Sequence, residues 1–312
     1  MNILLTSIGK RIELINHLKT KAKVIGVDCS TLNPAKEFVD SFYLIPRATD
    51  KGYREALIEI CKKEKVDYLI PLYEGEFSVL NEFRDRLEEI GTRLLLSDAH
   101  IIDICKNKFS TAEFFKRYEI PAPVTYSAEI EKDLDKIKYP VVMKPLDGMG
   151  SEGVHIIADE EELLFYAKRT PGYIVQECLK GTEYTIDILC DDNGNIIYLV
   201  PRERLEVRGG EVSKSRIVPN SVVEALCRRV MECLNKEGFV VGPFTLQCFL
   251  TDENTAKMLE INPRFGGGVP LSFAGGADYV GALKSMLNGE EIIPNSIEEL
   301  TMLRYDSSVF IK

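Results

Sequence analysis

Apolar and polar positions follow two different rhythms along this chain, and the change of rhythm divides it. From residue 1 to about 97, short apolar runs (3–6, 24–28, 68–71 and 93–96) alternate with stretches of helical period (10–21, 53–64 and 77–90). That βαβα order predicts a small parallel sheet with helices on its faces. A further helix is predicted over 98–118. Pro121 and Pro123 stop it and begin extended chain, which marks a lobe boundary.

From Tyr139 onward the text changes to strands joined by glycine-rich turns: 140–145, 154–158, 173–176, 183–190, 196–200, 211–218, 243–250 and 257–263, with helices near 160–169 and 221–238. Grouped strands of this kind predict an antiparallel α+β half. No internal repeat or low-complexity segment interrupts it.

The most informative strand runs from Lys257 to Pro263 and continues into Arg264 and the glycines Gly266, Gly267 and Gly268. A strand points residues i and i+2 to one face. Glu260, Asn262 and Arg264 are thus expected on one side, with Leu259 and Ile261 toward the core. Two oxygen ligands beside a fixed cation suit Mg²⁺ or Mn²⁺ with a phosphate or carboxylate. The ordinary alternative is an edge strand with a solvated polar face.

Composition narrows the classes. At 312 residues the chain exceeds one domain of ~150. With 39 basic and 49 acidic residues its net charge is −10, and no basic block with interleaved aromatics appears, which argues against nucleic acid as partner. An anionic ligand then needs a local basic cluster. The N-terminus lacks the pattern of a secretion signal and no apolar run reaches ~18 residues, so a soluble cytoplasmic protein without membrane partners is expected. Eight cysteines without a Cys-x-x-Cys pair read as reduced core residues, and His17, His100 and His155 have no metal-ligand spacing.

The segment Gly148-Met149-Gly150-Ser151-Glu152-Gly153-Val154 matches a dinucleotide or kinase glycine pattern. Context excludes both. The loop leads from one strand into another instead of into a helix, and no His-Arg-Asp or Asp-Phe-Gly follows. What remains is a β-loop-β flap able to close on phosphates, with Lys144 on the strand leading in; a plain hairpin tip is the bland reading. The first turn, Ser7 to Arg11, holds one glycine, so no NAD site is assigned there, and Asp28 reads as a strand-end turn residue. The segment from Tyr173 to Leu179, which ends a strand and runs into 180–187, offers an apolar wall and exposed backbone that an adenine would accept, and Glu183 suits ribose hydroxyls. Arg202, Arg204, Arg208, Lys214 and Arg216 outnumber Glu203, Glu206 and Glu211, a local surplus expected of a triphosphate or carboxylate cradle, or of a solvated hairpin face.

Taken in order, Lys108 in Asn107-Lys108-Phe109-Ser110, Lys144 before the glycine flap, the run from Gln176 to Glu183, Gln247, and Glu260-Ile261-Asn262-Pro263-Arg264 resemble the ATP-grasp ligases, and within them stand-alone relatives of the carbamoyl-phosphate synthase large chain. The resemblance spans nearly the whole sequence. It implies a parallel α/β pre-grasp domain over 1–97 and a two-lobed ATP-grasp domain over 98–312, with a lid near 121–176 and nucleotide held between antiparallel sheets. It further implies that Lys108, Lys144 and the backbone at Gly148, Gly150 and Ser151 meet ATP phosphates. Glu177, Cys178 and Leu179 would meet adenine, Glu183 ribose, and Gln247, Glu260 and Asn262 Mg²⁺ or Mn²⁺. Arg264, with Lys214 and Arg216, would act on the transferred phosphoryl group. One departure is Gln247, where many members carry a carboxylate, so weaker metal affinity is expected.

The implied activity is ATP-dependent joining of a small-molecule carboxylate to an amine (or thiol) through an acyl phosphate, with ADP and phosphate released. A homodimer is allowed as its assembly. Two other readings stand beside it: activation of bicarbonate or ammonia, for which one grasp module lacks a second phosphorylation site, and a non-catalytic ATP-binding protein. Gly266, Gly267, Gly268, Gly275 and Gly276 leave backbone room beside Arg264 and read as acceptor-pocket loops or tight turns.

Overall fold

A computed structural model describes residues 1–126, 130–146 and 153–311. Strands β1 (Asn2–Thr6), β2 (Lys23–Asp28), β3 (Ser41–Leu44), β4 (Tyr68–Pro71) and β5 (Arg93–Leu94) form a parallel sheet in the order β3-β2-β1-β4-β5. Helices α1 (Ile12–Lys19), α2 (Tyr53–Glu64), α3 (Phe77–Glu82) and α4 (Arg84–Glu88) connect them. The strands are apolar throughout because both faces are covered: Ile3, Leu5 and Ile70 enter one cluster, Leu4, Ile25 and Leu69 another. The predicted helix over 77–90 is two helices, since Phe83 leaves helical geometry (φ −126°) and buries its ring. The short edge strand β3 carried no sequence signal.

Helices α5 (Ala99–Cys105) and α6 (Lys108–Arg117) replace the one predicted over 98–118. Asn107 divides them. Its side chain accepts from the N–H groups of Phe109 and Ser110 and so caps α6 at the cost of continuing α5. A three-stranded antiparallel sheet follows, β6 (Val141–Pro145), β7 (His155–Ile157) and β8 (Tyr173–Glu177), in the order β7-β6-β8, packed on α7 (Glu160–Ala167) through Val141, Met143, Ile157 and Leu163.

The third sheet has six strands: β9 (Gly181–Cys190), β10 (Ile196–Arg208), β11 (Glu211–Ile217), β12 (Gly242–Thr251), β13 (Ala256–Asn262) and β14 (Thr301–Leu303), in the order β13-β12-β9-β10-β11-β14. Its back packs on α8 (Ser221–Glu237), whose Val223, Cys227, Val230 and Leu234 meet Tyr184, Ile186, Phe244 and Leu246. Two further helices, α9 (Pro270–Ala274) and α10 (Tyr279–Asn288), fill the stretch after the glycines. Phe265, Val269, Leu271, Tyr279 and Leu283 share one buried cluster with Ile3, Ile8 and Leu14, which ties the glycine loop to the parallel sheet.

All eight cysteines are free and five are buried, as core thiols are. Among the described residues no helix is long and apolar enough to cross a membrane.

Candidate active site

The site grows from the alternation of β9. Tyr184, Ile186, Ile188 and Cys190 go to the core behind the sheet, so Glu183, Thr185 and Asp187 go to its front. Register extends that row across two neighbours. Gln247 on β12 lies opposite Thr185 on one side and Glu260 of β13 on the other; Thr245 lies likewise between Asp187 and Asn262. Directly paired residues have Cβ atoms about 5 Å apart, so Gln247 and Glu260 side chains are neighbours.

The face expected for Glu260 and Asn262 is therefore present, although its neighbours differ from the simple alternation. Pairing passes from Gln247–Glu260 to Cys248–Met258, which leaves Leu259 as the extra residue of a β-bulge. Met258 and Ile261 are consequently the fully buried pair, and Leu259 is half-buried. Arg264 stands beyond the strand, which ends at Asn262, in a turn where its N–H donates to the Asn262 carbonyl at 2.9 Å. Asn262 is buried.

Lys144 reaches this face from β6. Burial pushes its ammonium down to about 8; Glu260 and Glu183 oppose the shift and Lys108 adds to it. Glu183 is shifted up, first by burial and also by Glu260, with Arg204 and Lys144 opposing. Charges that act on one another in this way lie near each other, and Lys144 and Glu183 are the two that burial shifts. Arg204 Nε lies 3.2 Å from Glu183 Oε1. Lys108, the first residue of α6, places Nζ 3.4 Å from the Leu146 carbonyl at the end of β6. Gly148, Gly150, Ser151 and the flap reading of 147–153 lie outside the described residues, apart from Gly153.

Between the small and large sheets, Glu177 grips Lys257 through both carboxylate oxygens (2.9 and 2.8 Å) and accepts the Val124 N–H at 3.2 Å. Its side chain is thus engaged. Cys178 and Leu179 are half-buried on the linker to β9.

Behind the glycines lies a buried ion pair. Arg202 on β10 donates through Nε and Nη2 to Asp187 (2.6 and 3.0 Å), and Ser272 Oγ donates to the same carboxylate at 2.5 Å. A side chain on Gly268 would bring Cβ within 2.5 Å of Arg202 Nη1, so only glycine fits there. Of the five-cation cluster, Arg202 and Arg204 face the site. Lys214 and Arg216 are not brought to it: both are exposed, Lys214 pairs with Glu206 (2.7 Å) and Arg216 with Glu203 (2.6 Å). Glu203 also accepts from Tyr184 on the back of the sheet, so Arg216 stands on the side away from Glu260. Their β-alternation with the buried Ser213 and Ser215 is the physical reason.

Sequence reasoning missed Asp187, Glu74 and Arg11. Glu74, from the loop after β4, accepts Arg264 Nε at 2.7 Å, so the parallel-sheet lobe orients that guanidinium. Asp28 accepts the Gly9 and Ser30 N–H groups, in keeping with a turn role.

With this geometry established, comparison with known proteins gives a consistent result. Residues 3–95 match the PylC-like, N-terminal domain, and residues 105–268, more than half of the chain, match the ATP-grasp domain. The carbamoyl phosphate synthase large chain of Saccharolobus islandicus (strain L.S.2.15 / Lassen #1) is 28% identical over 283 residues, covering 84% of this chain and 26% of that protein. The chain thus spans about a quarter of that relative's length. Among solved structures, the N5-carboxyaminoimidazole synthetase from Staphylococcus aureus complexed with ADP superposes with a TM-score of 0.79 at 19% identity, over 97% of this chain and 82% of that one. The L-amino acid ligase from Bacillus licheniformis gives 0.69 at 20% identity, over 94% and 77%. At such identities these two speak for the fold.

Proposed function

We propose that this chain, which belongs to the ATP-grasp family of ATP-dependent ligases, joins a small-molecule carboxylate to an amine through an acyl phosphate. The observation that carries the reading is the sheet face on which register sets Gln247, Glu260 and Asn262 side by side with Glu183 of β9, with Lys144 and Lys108 near it. In this reading residues 1–97 form the pre-grasp domain and 98–312 the ATP-grasp domain, with the lid subdomain near 121–176.

A carboxylate does not condense with an amine in water because oxide is a poor leaving group. Its oxygen must first take the γ-phosphoryl group of ATP, releasing ADP; the amine then attacks the acyl carbon and expels phosphate. Lys144 and Lys108 hold phosphate oxygens, and Arg264, oriented by Glu74, neutralises charge as the phosphoryl group moves. Cys178 and Leu179 face adenine and Glu183 the ribose. The all-oxygen donor set of Glu260, Asn262 and Gln247 fits Mg²⁺ or Mn²⁺; among the described residues no group of three His, Cys, Asp or Glu offers a competing site. When bound, that ion supplies charge neutralisation at phosphate oxygens. Lys214 and Arg216, facing away, take no part in this scheme.

The test is ADP release in the presence of paired carboxylates and amines, with a product mass equal to the two minus water. Absence of turnover across a broad panel would leave ATP binding alone. The curated relative favours a second reading, bicarbonate activation, which bicarbonate-dependent ADP release in the absence of any amine would reveal. Arg264→Lys is expected to keep the melting temperature and nucleotide affinity while losing roughly 10²-fold in kcat, because a point charge replaces a rigid fork. Unchanged kcat would make Arg264 structural.

Lys144 sets a pH dependence. Below about 8 its ammonium is charged before nucleotide arrives; above that, binding must restore the proton. Affinity for an ATP analogue is therefore flat to pH 8 and falls by up to ~10-fold per pH unit beyond it, while the bound form holds the proton. Calorimetry in buffers of different ionisation enthalpy should show proton uptake at pH 9. No uptake removes Lys144 from the phosphates.

A further inference from the structure

In the parallel sheet the strand order reverses between β1 and β4, and the loops after these two strands flank the crevice where such sheets take ligands. One of them carries Arg11, the other Glu74. Arg11 closes the first turn, its N–H donating to the Ile8 carbonyl at 2.9 Å, and its own carbonyl accepts from Ile15 at 3.1 Å to begin α1. Its guanidinium is half-buried, and among the described residues it makes no hydrogen bond or ion pair. Burial and then Arg264 push its cation down to about 10, Arg304 adds to this, and only Glu211 opposes. A half-buried guanidinium without a bonded partner is costly in the free protein, and an anion would relieve it.

Gly267 shows where that anion has room. Side chains at Gly266 and Gly268 would collide with Thr245 and Arg202, whereas a Cβ on Gly267 would stand 3.6 Å from Arg11 Nη1 and 3.8–3.9 Å from the Glu211 carboxylate. No clash bars a group beside Gly267, and a guanidinium and a carboxylate both face that point. Glu211 is itself held by Lys10 (3.2 Å) and Arg304 (3.4 Å), the latter fixed by Glu13 at 3.0 Å. Glu211 comes from β11, Arg304 from the chain after β14 and Gly267 from the glycine loop, so with the first turn four regions distant in sequence meet here.

We infer that Arg11 and Glu211, on either side of Gly267, bind the zwitterionic head group of an α-amino acid, carboxylate to Arg11 and ammonium to Glu211, as a substrate of the ligase. The inference rests on the proposed ligase reading. A paired cation and anion selects a molecule carrying both charges over simple carboxylates or amines, and Arg264, three residues from Gly267, puts this head group next to the reacting end of the site.

The experiment reads binding apart from turnover. Individual L-amino acids, their α-amides and their N-acetyl derivatives are titrated calorimetrically into the full chain with MgADP present. At least one L-amino acid should bind, and its α-amide and N-acetyl forms should bind about 10-fold or more weakly, as expected for loss of one charged hydrogen-bonded contact. Arg11→Met should abolish the preference for the free carboxylate and Arg11→Lys should restore part of it; Glu211→Gln should abolish the preference for the free amine. Because the derivatives are compared on the unaltered protein, the result survives a variant that fails to fold. No binding by any L-amino acid, or equal binding of acid and amide, overturns the inference. Binding with this pattern but no amino-acid-dependent ADP release keeps the head-group site and removes the ligase reading. Carboxylate–amine ligation insensitive to Arg11→Met does the reverse.

Discussion

Glu260→Gln should lower kcat by roughly 10³-fold while the protein still folds, the largest loss expected from any single isosteric change here. Glu260 brings a fixed negative charge to the row of Gln247 and Asn262, and with Gln at both paired positions the proposed metal site would hold no charge of its own. A second signature is independent of turnover. Glu260 now raises the Lys144 ammonium and the Glu183 carboxyl. Its removal lets Lys144 fall further below about 8, so the pH above which nucleotide affinity declines moves down, and Glu183 ionises more readily. kcat, melting temperature and the pH profile of analogue binding together check this. A fully active variant, or equal nucleotide affinity of the parent with Mg²⁺ and with chelator, sinks the metal assignment.

Asp187→Ala carries the second large effect, on stability. Asp187 and Arg202 are both almost wholly buried, at 1% exposure each, and removal of one leaves the other charged, desolvated and unpaired. Breaking such a pair costs about 3–5 kcal/mol. Ser272 loses its acceptor in the same step, so the front of α9 and the close approach of Gly268 to Arg202 loosen together. A double replacement, Asp187→Leu with Arg202→Met, should recover much of the loss, since no uncompensated charge remains. Denaturant unfolding followed by circular dichroism measures both. A single variant within ~1 kcal/mol of the parent would mean that the pair does not anchor the glycine loop.

Local pattern carried much of the architecture. The apolar runs of β1, β2 and β4 and the amphipathic α2 appear within a residue or two of where periodicity places them, because strands buried on both faces and helices buried on one leave those signatures in any context. Interruptions were less visible. Asn107 splits one apparent helix by capping, and Phe83 splits another by tertiary packing. The β-bulge at Leu259 depends on the partner strand β12, so the sequence of β13 alone set Ile261 correctly in the core but put Leu259 there in place of Met258.

For the proposed site, the chain by itself set Glu260 and Asn262 on one strand face and Lys144 before the glycine segment, and the family resemblance added Lys108. Only the tertiary structure decided which of them meet. Register across β9, β12 and β13 set Gln247 between Thr185 and Glu260. Alternation along β11 turned Lys214 and Arg216 away while β10 turned Arg202 and Arg204 inward. Contacts between residues 74 and 264 or 187 and 272 leave no local periodicity, because each is made by strand order and loop approach, and these follow from the packing of whole sheets.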